Sequence, residues 1–250
     1  MENKQIQPLA LVTGGGSGIG LAIARKFTEN GIRTIILGRD REKLISAKKL
    51  LGPHCEEIRC DLDQLSTLPG LVNEIRSRFG PVTILVNNAG VNLKKEFTEV
   101  TDQEFQQIML TNVSAVFTLS REVVKKMLET GNGSIINISS MASRYGIPKV
   151  IAYTASKSAI EGMTRSMAVD LSPHGIRVNC IAPGFIETEM SSKALNGDQD
   201  RMQKVLSRTP MGVLGKPEDI GEAALFFATG ASGFITGTVL PVDGGNSIGF

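Results

Sequence analysis

The sequence contains no tryptophan and only two tyrosines, and its net charge is just +2 because 27 basic and 25 acidic side chains nearly cancel. Few aromatic side chains mean few surfaces on which nucleic-acid bases could stack. A balanced charge provides no long-range attraction for nucleic acid or for an anionic membrane. We therefore expect neither of these partners.

Histidine and cysteine are also scarce: the chain has two histidines and three cysteines, which are His54, His174, Cys55, Cys60 and Cys180. The cysteines show no C-x-x-C and no metal-ligand spacing, and an odd number indicates free thiols, so we expect no metal site. No apolar run approaches the roughly 18 residues that cross a bilayer, and the first residues do not resemble a signal peptide. The expected location is the cytoplasm.

Short β-branched segments alternate with longer amphipathic ones along the chain. Strands are predicted at 9–13, 33–37, 57–62, 82–86, 134–139, 176–182 and 238–242, and helices at 19–30, 41–51, 64–79, 102–129, 151–171 and 218–229. This alternation is typical of a parallel sheet covered by helices on both faces. We predict a single α/β domain over residues 1–250 with a doubly wound, seven-stranded parallel sheet.

A polar stretch at 189–200 interrupts the alternation. So long a connection often forms a lid over a site, and a solvated surface loop is an equally good interpretation. We expect a substrate loop at about 184–215.

A glycine-rich turn, VTGGGSGIG at 12–20, follows the first predicted strand and begins the first predicted helix. In this context glycines let the backbone approach a pyrophosphate at a helix N-terminus, as in Rossmann-type folds. Gly14, Gly18 and Gly20 follow the pattern T-G-x-x-x-G-x-G rather than the strict G-x-G-x-x-G, so a turn without a ligand stays an alternative. No Walker lysine follows, which argues against a nucleoside triphosphatase.

The end of the second strand indicates which dinucleotide binds. There an acidic residue accepts hydrogen bonds from a ribose hydroxyl, whereas an arginine accommodates a 2′-phosphate. The sequence reads Leu37-Gly38-Arg39-Asp40, and Asp40 is also placed to cap the helix that follows. Arg39 beside a glycine therefore favours NADP(H) over NAD(H).

Each tyrosine is followed four residues later by a lysine, a spacing that brings two side chains together only within a helix. Gly146 and Pro148 interrupt the pair Tyr145 and Lys149, whereas Tyr153 and Lys157 lie in a helical pattern. A phenol needs its pKa lowered by about 3 units to act as a base at neutral pH, and one neighbouring charge supplies about 1 to 3. We expect Tyr153 to work only with cofactor bound.

Several motifs together resemble the short-chain dehydrogenase/reductase family over nearly the whole chain. They are TGGGSGIG (13–20), Asp61-Leu62, NNAG (87–90), Asn112, ISS (138–140), YTASK (153–157) and PGFIET (183–188). The resemblance implies that Tyr153 is the general acid/base and that Lys157 lowers its pKa and binds the nicotinamide ribose. It further implies that Ser140 holds the substrate oxygen and that Asn112 holds a water that relays protons.

The resemblance also implies the cofactor contacts. Asp61 and Leu62 are expected at the adenine, Asn88, Ala89 and Gly90 along the cofactor, and Ile186 and Thr188 near the carboxamide. Many members carry a basic residue where Ser17 stands, which leaves Arg39 as the 2′-phosphate contact. The full expected cofactor set comprises Gly14, Ser17, Gly18, Ile19, Gly20, Arg39, Asp61, Leu62, Asn88, Ala89, Gly90, Tyr153, Lys157, Pro183, Gly184, Ile186 and Thr188.

The resemblance predicts hydride transfer between nicotinamide C4 and a ketone or secondary alcohol. Two branches of the family look nearest, and we favour a sugar-acid dehydrogenase acting on a substrate such as 5-ketogluconate. The alternative is an NADPH-dependent 3-oxoacyl-(acyl-carrier-protein) reductase, and an alternative of another class is a cofactor-binding sensor without turnover. A homotetramer built through the helices from about 102 and 151 and through the C-terminal helix and strand is expected as well.

Overall fold

A seven-stranded parallel sheet forms the middle layer of the computed structural model, which describes residues 7–188 and 199–249. Its strands are β1 (Leu9–Thr13), β2 (Arg33–Gly38), β3 (Cys55–Arg59), β4 (Ile84–Asn87), β5 (Gly133–Ile138), β6 (Ile176–Pro183) and β7 (Val239–Val242). Their spatial order is β3-β2-β1-β4-β5-β6-β7, and every neighbouring pair is parallel. The predicted doubly wound, Rossmann-type sheet is confirmed.

Helices cover both faces of this sheet. They are α1 (Gly18–Glu29), α2 (Arg41–Leu51), α3 (Leu68–Phe79), α4 (Asp102–Met109), α5 (Ala115–Thr130), α6 (Ile151–Leu171), α7 (Gln199–Arg208) and α8 (Pro217–Ala228). Alternate residues of β1 enter two separate cores: Ala10 and Val12 pack with α1, α2 and α8, while Leu9 and Leu11 pack with α3, α5 and α6. Every residue of β1, β4 and β5 is buried, as expected for strands covered on both faces.

Two helices differ from the sequence prediction. The predicted helix at 102–129 is divided by a π-helical turn at Leu110–Ser114, which separates α4 from α5. Helix α7 occupies part of the segment that we expected to be a loop, and residues 189–198 of that segment lie outside the described residues. Strand β3 ends at Arg59, so Asp61 and Leu62 follow the strand instead of belonging to it.

The strand order reverses between β1 and β4: successive strands are added on one side of β1 up to β3, and on the other side from β4 to β7. In open parallel sheets, a crevice forms beyond the carboxyl ends of the strands at such a point. Among the described residues, no helix has both the length and the apolar character needed to cross a bilayer.

Candidate active site

A cavity of about 660 Å³ lies at the carboxyl ends of the strands, at the point where the sheet order reverses. The expected cofactor set lines it with a single exception. The lining members of that set are Gly14, Ser17, Gly18, Ile19, Arg39, Asp61, Leu62, Asn88, Ala89, Gly90, Tyr153, Lys157, Pro183, Gly184, Ile186 and Thr188. Sequence-distant motifs therefore meet in one crevice.

The glycine-rich turn forms one wall of the cavity. Gly14 and Gly18 have φ angles of +67° and +53°, a left-handed conformation that residues with a Cβ adopt only with strain. A Cβ on Gly14 would also lie 2.9 Å from Asn88 Nδ2. Helix α1 begins at Gly18, so its first backbone N–H groups lie beside the cavity, which suits the pyrophosphate of a dinucleotide.

Gly20 is the exception, because it does not line the cavity. A Cβ there would lie 2.3 Å from the carbonyl oxygen of Gly14 and 2.5 Å from Asn88 Nδ2. The residue therefore permits close packing beneath the turn, and the expected direct cofactor contact is not found among the lining residues.

The end of β2 carries the charge expected to recognise a 2′-phosphate. Arg39 lines the cavity, while Asp40 caps α2 by accepting a hydrogen bond from Lys43 N at 3.0 Å. Lys43 also lines this end of the cavity, a residue that the sequence analysis did not select. It lies in the first turn of α2, three residues after the helix cap, and nothing local in the sequence marks it as a cofactor contact.

Thr13 at the end of β1 fixes the neighbouring Asn-Ala-Gly segment after β4. Its hydroxyl oxygen accepts hydrogen bonds from Asn88 N at 2.9 Å and Ala89 N at 3.0 Å, and Asn88 Nδ2 donates to the Thr13 carbonyl at 2.9 Å. This threonine was not selected from sequence either. Thr13 thereby positions Asn88 and Ala89, which line the cavity.

Asn112 lies in the π-helical turn and is buried behind the cavity wall. Its Oδ1 accepts a hydrogen bond from Val91 N at 2.8 Å, and its Nδ2 donates to Val91 O at 2.9 Å and to Ser156 Oγ at 3.0 Å. A Cβ on Gly90 would lie 3.2 Å from Asn112 Oδ1 and 3.5 Å from Lys157 Nζ. Asn112 and Lys157 therefore approach the same glycine without Asn112 itself lining the cavity.

Ser140 and Tyr153 meet across the cavity from different elements. Ser140 follows β5 and caps the short 3₁₀ turn Met141–Ser143, accepting a hydrogen bond from Ala142 N at 3.2 Å. Tyr153 projects from the first turn of α6. Burial raises the pKa of the Tyr153 phenol above its ordinary value, and a hydrogen bond with the Ser140 side chain opposes that rise.

Lys157 stands one helical turn after Tyr153. Its Nζ donates to the carbonyl of Ile138 at 2.9 Å and lies 5.5 Å from the centre of the Tyr153 ring. Burial lowers the pKa of Lys157 to about 8. Burial therefore favours the neutral form of both members of this pair in the protein alone.

The other tyrosine has a different position. The Tyr145 hydroxyl donates to Asn246 Oδ1, and the guanidinium of Arg208 lies 4.1 Å from the centre of its ring. Lys149 has a φ of +68° and pairs with Glu96 instead of Tyr145. Tyr145 does not line the cavity, and it joins the turn after Ser140 to α7 and the C-terminal segment.

Several further residues that line the cavity are mostly apolar. They were not among the expected site residues, and they are Val91, Asn92, Met141, Ala142, Ile147, Val150 and Phe185. Within the described ranges 7–188 and 199–249, no group of three or more histidine, cysteine or carboxylate side chains could hold a metal ion.

Comparison with known proteins identifies the family. A family model described as "Enoyl-(Acyl carrier protein) reductase" matches residues 14–247, nearly the whole chain. The chain belongs to the short-chain dehydrogenase/reductase family. It is an oxidoreductase that acts on alcohol or ketone substrates.

Proteins with several different activities are similar to it. A 3alpha-hydroxysteroid dehydrogenase of Mediterraneibacter gnavus is 38% identical, covering 94% of this chain and 95% of the relative. A 3-oxoacyl-(acyl-carrier-protein) reductase of Chlamydia trachomatis is 34% identical over 98% and 99%. A crystal structure of a gluconate 5-dehydrogenase from Burkholderia cenocepacia with NADP and tartrate has a TM-score of 0.93 and 33% identity, covering 97% and 96%.

Proposed function

We propose that the protein interconverts a ketone and a secondary alcohol with NADP(H), using Tyr153 as the general acid/base. The observation that carries this proposal is one cavity in which the glycine-rich turn, Arg39, Ser140, Tyr153 and Lys157 all take part. The dinucleotide, when bound, supplies or accepts the hydride. A lining of left-handed glycines and helix N–H groups at one end, with a phenol at the other, fits an extended dinucleotide.

The residues of the chain then have separate tasks. In the reductive direction Tyr153 donates its proton to the carbonyl oxygen, and Ser140 donates a hydrogen bond to the same oxygen as charge develops there. Lys157 would bind the nicotinamide ribose, and Asn112 would hold a water on the path of the proton. In the oxidative direction Tyr153 accepts the proton of the alcohol.

NADP(H) is favoured over NAD(H) because two cationic side chains, Arg39 and Lys43, line the cavity where the second strand ends. A 2′-phosphate carries charge that an arginine can bind through paired N–H donors. The similar gluconate 5-dehydrogenase structure contains NADP. From the sequence alone, Arg39 was the one expected contact to the 2′-phosphate.

The identity of the substrate is a more specific proposal than the type of reaction. We favoured a sugar acid such as 5-ketogluconate from the sequence, and the similar gluconate 5-dehydrogenase supports that preference. The similar 3-oxoacyl reductase and hydroxysteroid dehydrogenase, together with the apolar residues that line the cavity, support an acyl or other apolar ketone as the second candidate. The expected substrate loop at 184–215, of which residues 189–198 lie outside the described residues, stays a prediction.

We also infer a homotetramer and a cytoplasmic location. Large apolar side chains are exposed on the helices through which assembly was expected, namely Phe105, Phe117, Leu128, Ile151, Val169 and Phe226. Exposed apolar patches of this kind often form subunit interfaces. The three cysteines are free thiols, which a reducing compartment preserves. A mass measurement in solution tests the assembly.

A substrate panel tests the proposed function. The purified protein is assayed with NADPH and NADH against 3-oxoacyl thioesters, 5-ketogluconate and simple diketones, and Tyr153→Phe is the matched variant. Because Phe lacks only the hydroxyl, we expect turnover to fall at least about a hundredfold while the dissociation constant of the cofactor stays near that of the parent. Unchanged turnover would exclude Tyr153, and tight cofactor binding without turnover on any substrate would favour the sensor.

A further inference from the structure

Behind Ser140, two serines and one carboxylate form a compact cluster. Glu161 lies on α6 one turn after Lys157 and two turns after Tyr153, so the three side chains follow one side of the helix. Glu161 Oε1 accepts a hydrogen bond from Ser139 Oγ at 2.7 Å and a shorter one from Ser143 Oγ. Neither Glu161 nor Ser143 lines the cavity, so this carboxylate has no direct access to a substrate there.

The two serines bound by Glu161 lie on either side of Ser140 in the chain. Ser143 N donates to the Ser140 carbonyl at 3.0 Å, and Ser143 Oγ lies 2.6 Å from the same oxygen. Because a hydroxyl has one proton, Ser143 donates either to this carbonyl or to Glu161 at any moment. On the other side, Ser139 N donates to the Ile181 carbonyl of β6 at 2.8 Å.

These bonds connect the helix that carries Tyr153 to the turn that carries Ser140. The hydrogen bond between Ser140 and Tyr153 requires the two elements to keep a fixed separation, and a small displacement of a reacting group can cost orders of magnitude in rate. Side chains that touch substrate are held in position by such supporting hydrogen bonds.

We propose that Glu161 is a positioning residue for the reaction: through Ser139 and Ser143 it holds the Ser140 turn against α6, and so keeps Ser140 Oγ within reach of Tyr153. This inference rests on the proposed function for its kinetic consequence. The geometry of the turn does not depend on which ketone is the substrate.

The first test compares Glu161→Ala with Glu161→Gln. Alanine removes both acceptor oxygens, so we expect kcat to fall about tenfold or more, whereas glutamine keeps an acceptor for the serines and should recover activity to within about threefold. The dissociation constant of the cofactor should stay unchanged in both. Glu56→Ala is the control, since Glu56 also pairs within the fold, with Lys48 at 2.8 Å, but lies on β3.

A double-mutant cycle asks whether Glu161 acts through Ser140. If it does, Glu161→Ala should cause little further loss of kcat in a Ser140→Ala background, because residues that act as a unit are not additive. If Glu161→Ala lowers kcat equally in the parent and in the Ser140→Ala background, the proposal is overturned. It is also overturned if Glu56→Ala lowers kcat as much as Glu161→Ala does.

A third measurement needs no turnover. The chain has only two tyrosines, so isotope-labelled tyrosine gives two NMR signals, which Tyr145→Phe or Tyr153→Phe assigns. The Tyr153 hydroxyl is hydrogen-bonded to the Ser140 side chain, so Glu161→Ala should change the chemical shift of the Tyr153 ring carbon that bears the hydroxyl, and Glu161→Gln should not. If the parent protein shows no turnover but Glu161→Ala still changes the Tyr153 signal, only the proposed function is contradicted. If the parent turns over substrate but Glu161→Ala leaves the Tyr153 signal unchanged, the role of Glu161 is contradicted.

Discussion

At the residue scale, burial acts in opposite directions on the proposed catalytic pair. It raises the pKa of Tyr153 and lowers that of Lys157 to about 8. Both shifts disfavour the charged form, since each group loses its hydration. Lys157 still carries its proton at neutral pH, but the phenol has little tendency to ionise in the protein alone. Proton transfer at Tyr153 is therefore expected to depend on the bound cofactor.

The proposed preference for NADP(H) depends on Arg39, which follows β2, and on Lys43 in the first turn of α2. Arg39→Asp should lower kcat/KM for NADPH relative to NADH by roughly tenfold to a hundredfold, since a charge-assisted hydrogen bond contributes about 1.5–3 kcal/mol. Lys43→Ala should shift the ratio in the same direction by a smaller factor. The measurement is steady-state kinetics with both dinucleotides.

Arg41→Ala is the control for this prediction. Arg41 begins α2, only two residues from Arg39, but does not line the cavity. It removes one positive charge from the same region, as Lys43→Ala does, so the cofactor ratio should stay within about twofold of the parent if contact rather than general charge decides preference. A retained NADPH preference in Arg39→Asp would remove Arg39 from this role.

Motif residues could be predicted from the sequence because each is tied to local backbone geometry. Gly14 must be glycine for its positive φ, and the residues between Tyr153 and Lys157 are helical by composition. Thr13 and Lys43 were missed because nothing local distinguishes a threonine at a strand end or a lysine in a helix. Their roles arise only when β1, β4 and α2 come together.

At the scale of elements, all seven strands could be predicted, although β3 begins and ends earlier than predicted, and the helices could be predicted only in part. The π-helical turn at Leu110–Ser114 escaped prediction because a tertiary contact stabilises it, namely the paired hydrogen bonds of Asn112 with Val91. Helix α7 was not predicted because most of its residues are polar. Its Met202, Val205 and Leu206 have helical spacing, and Val205 is buried, so a weak signal was present.

The packing of α1 beneath the glycine turn gives a prediction at this scale. Gly20→Ala should lower the free energy of unfolding by about 1–3 kcal/mol, because its Cβ would meet the Gly14 backbone, which cannot rotate away. It should also weaken cofactor binding by displacing the turn. Chemical denaturation and a cofactor titration provide the two measurements.

Gly70→Ala is the matched change. Gly70 lies in α3, is exposed, and a Cβ there would meet nothing within 4 Å. The same substitution should raise stability by about 0.5–1 kcal/mol, since alanine favours a helix over glycine. Equal stability for Gly20→Ala and the parent would show that the turn yields to the added methyl group.

At the scale of the whole molecule, the folded sheet buries thiols that ionise at a much higher pH than they do in the unfolded chain. Cys55 of β3 and Cys180 of β6 are buried on different strands. Burial raises the pKa of each thiol to about 12, from an ordinary value of 9.0. In the unfolded chain the same thiols ionise near their ordinary value.

This difference predicts how stability depends on pH. A group whose pKa is raised by folding stabilises the protein fully below the unfolded pKa, and the stabilisation is lost as pH rises towards the folded pKa. Between pH 9 and pH 12, each thiol should therefore lower the free energy of unfolding by up to about 1.4 kcal/mol per pH unit. Lys157 acts in the opposite sense from about pH 8 upward, because its folded pKa is lowered.

A comparison of variants separates these opposing contributions. The free energy of unfolding is measured by urea denaturation under reducing conditions across pH 8 to pH 10.5, a window that begins below the ordinary thiol pKa of 9.0. The double variant Cys55→Ala, Cys180→Ala should lose stability less steeply with pH than the parent, whatever its stability at pH 8. Cys60→Ala, at a half-buried position, should change the slope less. Parallel slopes for the parent and the double variant would mean that the two buried thiols ionise as readily in the folded protein as in the unfolded chain.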